Sequence, residues 1–128
     1  MKLKFDATMT GPKEHAIGQG RINGIDLTNF PDNARFLGNE ETRIAGIRNV
    51  EKRDGVLYVT LEQKIYMTDM RIDARCGDWI DAADYDPTQC YVKAANPQAI
   101  ELLTSGQAEY FQDTDGAWTV RMIEEVAV

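Results

Sequence analysis

The stretch Ile47-Arg-Asn-Val-Glu-Lys-Arg-Asp-Gly-Val-Leu-Tyr-Val-Thr-Leu-Glu-Gln-Lys64 places an Asp-Gly dipeptide, Asp54-Gly55, between two segments rich in strand-forming residues. An Asp-Gly pair suits a type I′ turn, whose two positive φ angles match the twist of paired strands. The sequence therefore predicts a β-hairpin in which Ile47–Arg53 pairs with Val56–Lys64. On its apolar face the predicted cross-strand partners are Val50 with Val59, Lys52 with Leu57, and Arg48 with Leu61.

A second dipeptide of the same kind, Asp115-Gly116, predicts another hairpin, in which Gln107–Asp113 pairs with Ala117–Ile123. A two-residue loop sets the register of the strands that it joins. The resulting partners are Phe111 with Val120, Asp113 with Trp118, and Glu109 with Met122. The face predicted to join the core holds Phe111, Trp118, Val120 and Met122, while Tyr110 and Arg121 share the other face.

Two short helices are predicted from the residues at their ends. Asn39 can cap a helix over Glu40–Ala45, which Gly46 would end. The second helix has its cap at Asn96, its first residue at Pro97 and its stop at Gly106. Its predicted apolar stripe consists of Ala99, Ile100, Leu102 and Leu103.

These elements, with an alternating segment at the start of the chain, predict an α+β fold. Leu3, Phe5 and Ala7 alternate with polar residues, as is typical of a half-buried strand. Further short strands are expected around Arg21–Leu27, Ile65–Ile72 and Cys90–Ala95. The predicted architecture is a mainly antiparallel β-sheet built from hairpins, as a small sandwich or a partly open barrel, with one or two short helices. Residues 1–128 are predicted to form a single globular domain.

Charge and cysteine content narrow the expected partners and compartment. With 21 acidic and 14 basic side chains, the net charge of −7 argues against binding to nucleic acid or to an anionic membrane. Neither a signal peptide nor an apolar run long enough to span a bilayer is evident, which predicts a cytoplasmic protein. Cys76 and Cys90 are both expected to be reduced, and a disulfide between them is the alternative.

No residues with the spacing of a catalytic set are evident, so an enzyme is not expected. His15 is the only histidine, and it lies in a Gly- and Pro-rich segment that predicts an exposed loop. Ser105 is the only serine, and it falls where the second helix should end. Gly18, Gly20 and Gly24 nearly match a dinucleotide-binding fingerprint, but the third glycine comes one residue late. We expect these glycines to serve loop conformations with positive φ.

The most suggestive chemical feature is a group of six aspartates: Asp69, Asp73, Asp78, Asp81, Asp84 and Asp86. Calcium prefers oxygen ligands, and clustered carboxylates on loops can supply them. The candidate metal ligands are Asp78, Asp81, Asp84 and Asp86. Because their spacing does not match an EF-hand loop, the default expectation is a solvated acidic edge without a cofactor, with calcium as the alternative.

Aromatic residues flank these aspartates and define a candidate binding segment. Exposed Trp and Tyr can stack on sugar rings while carboxylates accept hydrogen bonds from sugar hydroxyls, and the same aromatic residues are enriched at protein interfaces. The candidate binding residues are Trp79, Asp81, Asp84, Tyr85, Asp86 and Tyr91.

Four stretches give the chain a family resemblance: Gly24-Ile-Asp-Leu-Thr-Asn-Phe-Pro31, Gly38-Asn-Glu-Glu-Thr42, Asp54-Gly-Val-Leu-Tyr-Val-Thr-Leu61 and Trp79-Ile-Asp-Ala-Ala-Asp-Tyr-Asp-Pro87. In these stretches the sequence resembles the small acidic accessory proteins of tailed bacteriophages and prophages. The resemblance contains no functional motif, so it assigns no role to a residue. It implies a virion-associated or host-interaction role.

Together these observations predict a non-enzymatic interaction or assembly protein. It would bind a protein partner or form a homo-oligomer, through a sheet edge or an aromatic patch. The alternative is a small module that binds carbohydrate or calcium through the segment from Trp79 to Tyr91.

Overall fold

A computed structural model describes residues 1–66 and 77–123. Its strands are β1 (Lys2–Thr8), β2 (Ile17–Gly18), β3 (Arg21–Ile22), β4 (Ile25–Asp26), β5 (Arg35–Phe36), β6 (Ile47–Arg53), β7 (Val56–Lys64), β8 (Ile80–Asp81), β9 (Ala108–Gln112) and β10 (Trp118–Met122). The helices are α1 (Glu40–Ile44) and α2 (Pro97–Thr104), with a 3-10 turn at Ala82–Asp84. The α+β class predicted from the sequence is confirmed.

The strands form three sheets that do not close into a barrel. The main sheet has the order β5-β6-β7-β1-β8, and β1 runs parallel to β7 while the other neighbours are antiparallel. The two small sheets are β2-β3-β4 and β9-β10. A bridge between Ile65 and Trp118, with a 2.8 Å hydrogen bond from the Tyr66 amide to the Trp118 carbonyl, joins β10 to the end of β7.

The first hairpin has the predicted strands and the predicted turn. Asp54 and Gly55 have φ angles of 49° and 79°, which are both positive as a type I′ turn requires. The predicted pairing of Arg48 with Leu61 is wrong, because a β-bulge places Ile47 opposite Leu61 instead. The bulge buries Ile47 and directs Arg48 toward acidic side chains on the other face of the sheet.

The second hairpin forms, but its predicted register is wrong by one residue. A 3.1 Å hydrogen bond from the Gly116 amide to the Asp113 carbonyl closes a four-residue turn, and only Gly116 has positive φ within it. This longer connection pairs Phe111 with Thr119 and Tyr110 with Val120. Phe111 therefore leaves the core face. The Arg121 guanidinium lies over its ring, 3.7 Å from the centroid of the Phe111 ring.

The predicted core face of this hairpin is therefore only partly correct. Trp118 and Val120 are buried as predicted, and Tyr110 rather than Phe111 packs with them. Met122, which was also predicted to be core, is 46% exposed.

Both predicted helices are present, and both begin at the predicted cap. The Asn39 side chain accepts a hydrogen bond from the Thr42 amide, and the Thr42 hydroxyl accepts one from the Asn39 amide, which completes a capping box. The Asn96 side chain caps α2 by accepting a single hydrogen bond from the Gln98 amide. Within the predicted apolar stripe of α2, Ala99 is buried but Ile100 is exposed.

Two further hairpin turns lie in the segment that was predicted to be mostly loop. The pairs Gln19-Gly20 and Asn23-Gly24 both have positive φ at their two positions, and they connect β2 to β3 and β3 to β4. The expected single strand over Arg21–Leu27 is therefore two short strands. As expected, Gly20 and Gly24 serve turns with positive φ, but the expectation is wrong for Gly18, which lies in β2 without positive φ.

The remaining predicted strands have different outcomes. Cys90–Ala95 is not a strand; the Gln63 side chain holds its start, accepting hydrogen bonds from the Tyr91 and Val92 amides at 2.6 and 2.9 Å. Most of Ile65–Ile72 lies outside the described residues, as do Asp69, Asp73 and Cys76.

The core lies on one face of the main sheet. The alternation predicted for β1 holds, because Leu3 and Phe5 are buried together with Val50, Val59 and Leu61 from the hairpin beside them. These residues are packed against β3, the segment near Val92, α2 and β10. The opposite face of the sheet is polar over β1 and β7, where Lys2, Lys4, Tyr58 and Thr60 are each partly exposed.

Candidate functional site

The structure splits the predicted binding segment between two sides of the main sheet. Tyr85 and Tyr91 pack against buried Phe5, with ring centroids 5.6 and 4.8 Å from its ring. Trp79 instead lies over the polar face, where it is 39% exposed. The candidate residues therefore do not form one continuous aromatic platform.

The hydroxyl groups of the two tyrosines bond to the protein backbone. The Tyr85 hydroxyl accepts a hydrogen bond from the His15 amide at 3.1 Å. The Tyr91 hydroxyl accepts one from the Asp86 amide at 2.8 Å and donates one to the Asp84 carbonyl at 3.3 Å. These bonds anchor the loop that follows the 3-10 turn, so both tyrosines have structural roles here.

Three of the four candidate carboxylates, Asp78, Asp81 and Asp86, have separate local partners, and Asp84 lies in the 3-10 turn. The Asp81 carboxylate lies 2.6 Å from the Lys2 ammonium, and this hydrogen-bonded pair lowers the pKa of Asp81. The Asp86 carboxylate accepts hydrogen bonds from the Thr88 hydroxyl and amide, which lower its pKa. Asp78 is almost fully exposed, 3.9 Å from the Lys93 ammonium. Within residues 1–66 and 77–123, no three acidic, histidine or cysteine side chains are grouped closely enough to hold a metal ion.

Trp79 belongs to a group of four side chains on the polar face, Lys4, Arg53, Tyr58 and Trp79, which we call the Trp79 patch. The Trp79 ring meets the Tyr58 ring edge-on, with centroids 5.3 Å apart. The Lys4 ammonium lies 5.5 Å from the Trp79 ring centroid, and the Arg53 guanidinium lies 4.0 Å from that of Tyr58. Both contacts are cation–π interactions, so the patch alternates positive charge with aromatic surface.

The pairing of β1 brings the Trp79 patch together. Lys2 lies opposite Tyr58 on β7 and opposite Asp81 on β8, so β1 runs between the two aromatic residues. Lys4 is on the same face of β1 as Lys2, because side chains two positions apart in a strand point the same way. The sequence identified Trp79 but missed the other three. Arg53 and Tyr58 meet within the first hairpin, whereas the contacts of Trp79 with Tyr58 and Lys4 depend on this non-local pairing.

His15 is buried, so the prediction of an exposed loop histidine is wrong. Its Nε2 lies 2.7 Å from the Glu62 carbonyl, which can only accept, so Nε2 carries the proton. Its Nδ1 then accepts a hydrogen bond from the Asn23 side-chain amide at 2.9 Å. The same amide group donates to the Ala45 carbonyl. Burial lowers the pKa of His15, which favours the neutral ring that this network requires.

The structure also places the other nucleophilic groups that the sequence offered. The Cys90 thiol is largely buried and donates to the Val92 carbonyl, and burial raises its pKa to about 12. The Ser105 hydroxyl donates to the Leu102 carbonyl at the end of α2. Since His15 uses both ring nitrogens in its own network, none of these groups is paired with it as a nucleophile and base would be.

Two clefts of similar size open on the surface near α1. One has a volume of about 310 Å³ and a mainly polar lining that includes Arg43, Arg48 and Glu62. The other, of about 300 Å³, is a shallow apolar groove whose lining includes Leu27 and Phe36. Both volumes are at the lower end of the range for small-molecule sites.

Comparisons with known proteins give no relative for this fold or for either surface feature. No family model, no curated protein and no solved structure matches the chain. In the part of the chain that the structure describes, neither helix has the length and hydrophobicity needed to cross a membrane.

Proposed function

We propose that this chain is a non-enzymatic interaction protein that self-associates through the Trp79 patch. The observation that carries the proposal is the exposed Trp79 ring, which meets Tyr58 edge-on while Lys4 contacts Trp79 and Arg53 contacts Tyr58. Trp, Tyr and Arg are the residues most enriched at the energetic centres of protein interfaces.

The neighbours of Trp79 hold its ring in one orientation before any partner binds. Tyr58 supports its edge and Lys4 covers part of its surface, so little side-chain entropy remains to be lost on association. An aromatic side chain that is already ordered loses less entropy on binding than a mobile one. It therefore contributes more binding free energy for the same buried area. This favours a protein contact over a chance exposed hydrophobic residue.

Charge complementarity favours a second copy of the chain as the occupant. The chain carries a net charge of −7, yet the Trp79 patch contains two cations. Glu51 lies 3.4 Å from Arg53, whereas Lys4 forms no salt bridge within the described residues. An acidic surface of another copy therefore complements the patch, and such a contact joins two different surfaces.

The carbohydrate- or calcium-binding module stays an alternative prediction. A sugar would need the face of Trp79, which Lys4 partly covers, and Tyr85 and Tyr91 contact Phe5 instead. A fluorescence titration with sugars and thermal unfolding with calcium or a chelator would test it. The resemblance to phage accessory proteins implies that an assembly of this kind would act in a virion.

The test is the mass in solution, by light scattering, from low to high micromolar protein. We expect the mass of the wild type to rise with concentration, and to rise less at high salt because salt screens the cationic contacts. Trp79→Ala should remain monomeric over the same range. Tyr66→Ala is the matched control, because Tyr66 is a more exposed aromatic residue outside the patch.

Two results would contradict the proposal. One is a wild type that stays monomeric at every concentration. The other is association that persists in Trp79→Ala, or that Tyr66→Ala abolishes equally, because either would place the contact elsewhere. Circular dichroism of each variant would establish that the fold is retained.

A further inference from the structure

The polar cleft beside α1, which the Trp79 patch does not use, has the features of a ligand site. It lies between the segment at Gly38 and Asn39, the helix that follows, and the paired ends of β6 and β7. Its volume of about 310 Å³ is large enough for a small molecule of a few heavy atoms with its water. Arg43, Arg48 and Glu62 are the charged residues in its wall.

Glu62 is a buried carboxylate, and no residue within 1–66 and 77–123 donates a close hydrogen bond to its side chain. Only 7% of its side chain is exposed. Its ionic partner is Arg48, and the closest nitrogen to oxygen distance is 3.6 Å, which is longer than a hydrogen bond. Arg48 is also shared with Asp6, at 3.3 Å. Because a buried carboxylate is stabilised by close donors, this position favours a ligand that brings one.

Arg43 supplies the opposite charge in the same cleft. It is exposed, and within residues 1–66 and 77–123 its guanidinium takes part in none of the salt bridges. A guanidinium presents a planar fork of donors that matches a carboxylate with two parallel hydrogen bonds. Arg43 is therefore available to bind an anionic group.

The charges of the cleft define one class of ligand. In the cleft wall Glu62 supplies a buried negative charge, and Arg43 supplies an exposed positive one. We propose that the cleft binds a small zwitterionic amino carboxylate, whose ammonium group donates to Glu62 and whose carboxylate pairs with Arg43. The mainly polar lining suits such a ligand better than an apolar one.

The test is isothermal titration calorimetry of the full chain with two zwitterions, glycine and 4-aminobutyrate. Acetate and methylammonium, which each carry only one of the two charges, are the comparison compounds. We expect at least one zwitterion to bind and to bind at least about tenfold more tightly than either single-charge compound. Equal binding of acetate, or no binding of either zwitterion, would overturn the proposal.

Two variants test which residue of the cleft binds each charged group of the ligand. Arg43→Gln should weaken binding of the zwitterion by about tenfold or more, because it removes a charge-assisted pair. Arg35→Gln is the matched control, since Arg35 is an exposed arginine that does not line the cleft. Glu62→Gln should also weaken binding of the zwitterion. Arg43 is exposed, so Arg43→Gln should fold and still tests the site if Glu62→Gln does not fold. Unchanged affinity in Arg43→Gln would contradict the assignment.

Discussion

Single buried polar residues hold the loops of this protein to its main sheet. His15 links Asn23 to the backbone of β7, and Gln63 fixes the segment at Tyr91 and Val92. His15 bonds the Glu62 carbonyl, and Gln63 accepts hydrogen bonds from two amides of a segment that is not a strand. These residues explain how a domain with several very short strands keeps its loops in place.

The buried His15 should make stability depend on pH in a narrow window. Its folded pKa is lowered by burial, so the unfolded state binds the proton more tightly. Its contribution to stability is complete above the unfolded pKa, near 6.5, and is lost as the pH falls from there toward the lowered folded pKa. The free energy of unfolding should change by at most about 1.4 kcal/mol per pH unit from this single histidine.

Urea unfolding between pH 7 and pH 5 measures this effect, because His15 is the only histidine in the chain. We expect the free energy of unfolding of the wild type to fall over this interval. His15→Gln, which keeps a side-chain donor, should show a flatter profile. A variant as pH-dependent as the wild type would show that another group causes the change.

The Cys90 thiol should be unreactive in the folded protein. Burial raises its pKa to about 12, and reaction with a disulfide reagent requires the thiolate. In a Cys76→Ser background, we expect very slow reaction with Ellman's reagent at neutral pH and fast reaction once urea unfolds the chain. Reaction at the unfolded rate under native conditions would contradict the burial of this thiol.

At the scale of elements, turn chemistry determines which strands pair and in what register. Asp54-Gly55 forms the two-residue turn that its sequence predicted, whereas Asp115-Gly116 lies in a longer turn. In the second case the Asp113 carboxylate accepts hydrogen bonds from the Asp115 and Ala117 amides. The sequence signal is the same in both, so the side chain of Asp113 and the packing of Gly116 make the difference.

The two turn glycines should respond differently to alanine. Gly55 has a φ of 79° and open space where a Cβ would lie, so Gly55→Ala carries only the backbone strain of about 1–2 kcal/mol. At Gly116 a Cβ would also lie 2.9 Å from the Lys13 Cα and 2.8 Å from its Cβ. We expect Gly116→Ala to cost about 1–3 kcal/mol more, through overpacking.

Thermal and urea unfolding of both variants would test this difference. Gly55→Ala is the control for strain without a clash, because the two glycines share nearly the same φ. Equal losses of stability would show that the contact of Gly116 with Lys13 is not tight. A larger loss in Gly55→Ala would contradict the account of both turns.

Local elements could be predicted from the sequence because their signals lie within a few residues. The caps at Asn39 and Asn96 and the turn at Asp54-Gly55 are of this kind. The bulge at Arg48 could not be predicted, because it depends on burying Ile47 against the rest of the core. The burial of His15 likewise depends on contacts with Asn23 and Glu62 that are distant in sequence.

For the whole molecule, the parallel pairing of β1 with β7 is the step that creates the proposed site. It places the first strand between the hairpin and β8, and so brings Tyr58 and Trp79 together across Lys4. Hairpin signals specify only neighbouring strands, so neither this pairing nor the patch could be derived from them. Trp79 could be predicted as a candidate because it is an aromatic residue in a polar segment.

The most direct test of self-association through the Trp79 patch is acrylamide quenching of tryptophan fluorescence over a range of protein concentrations. The chain has two tryptophans, and Trp118 is already buried, so a change in quenching reports mainly on Trp79. We expect quenching to decrease as the concentration rises, and to recover in Lys4→Glu, which reverses the charge beside the ring. Quenching of Trp79 that stays constant while the mass in solution increases would contradict the account.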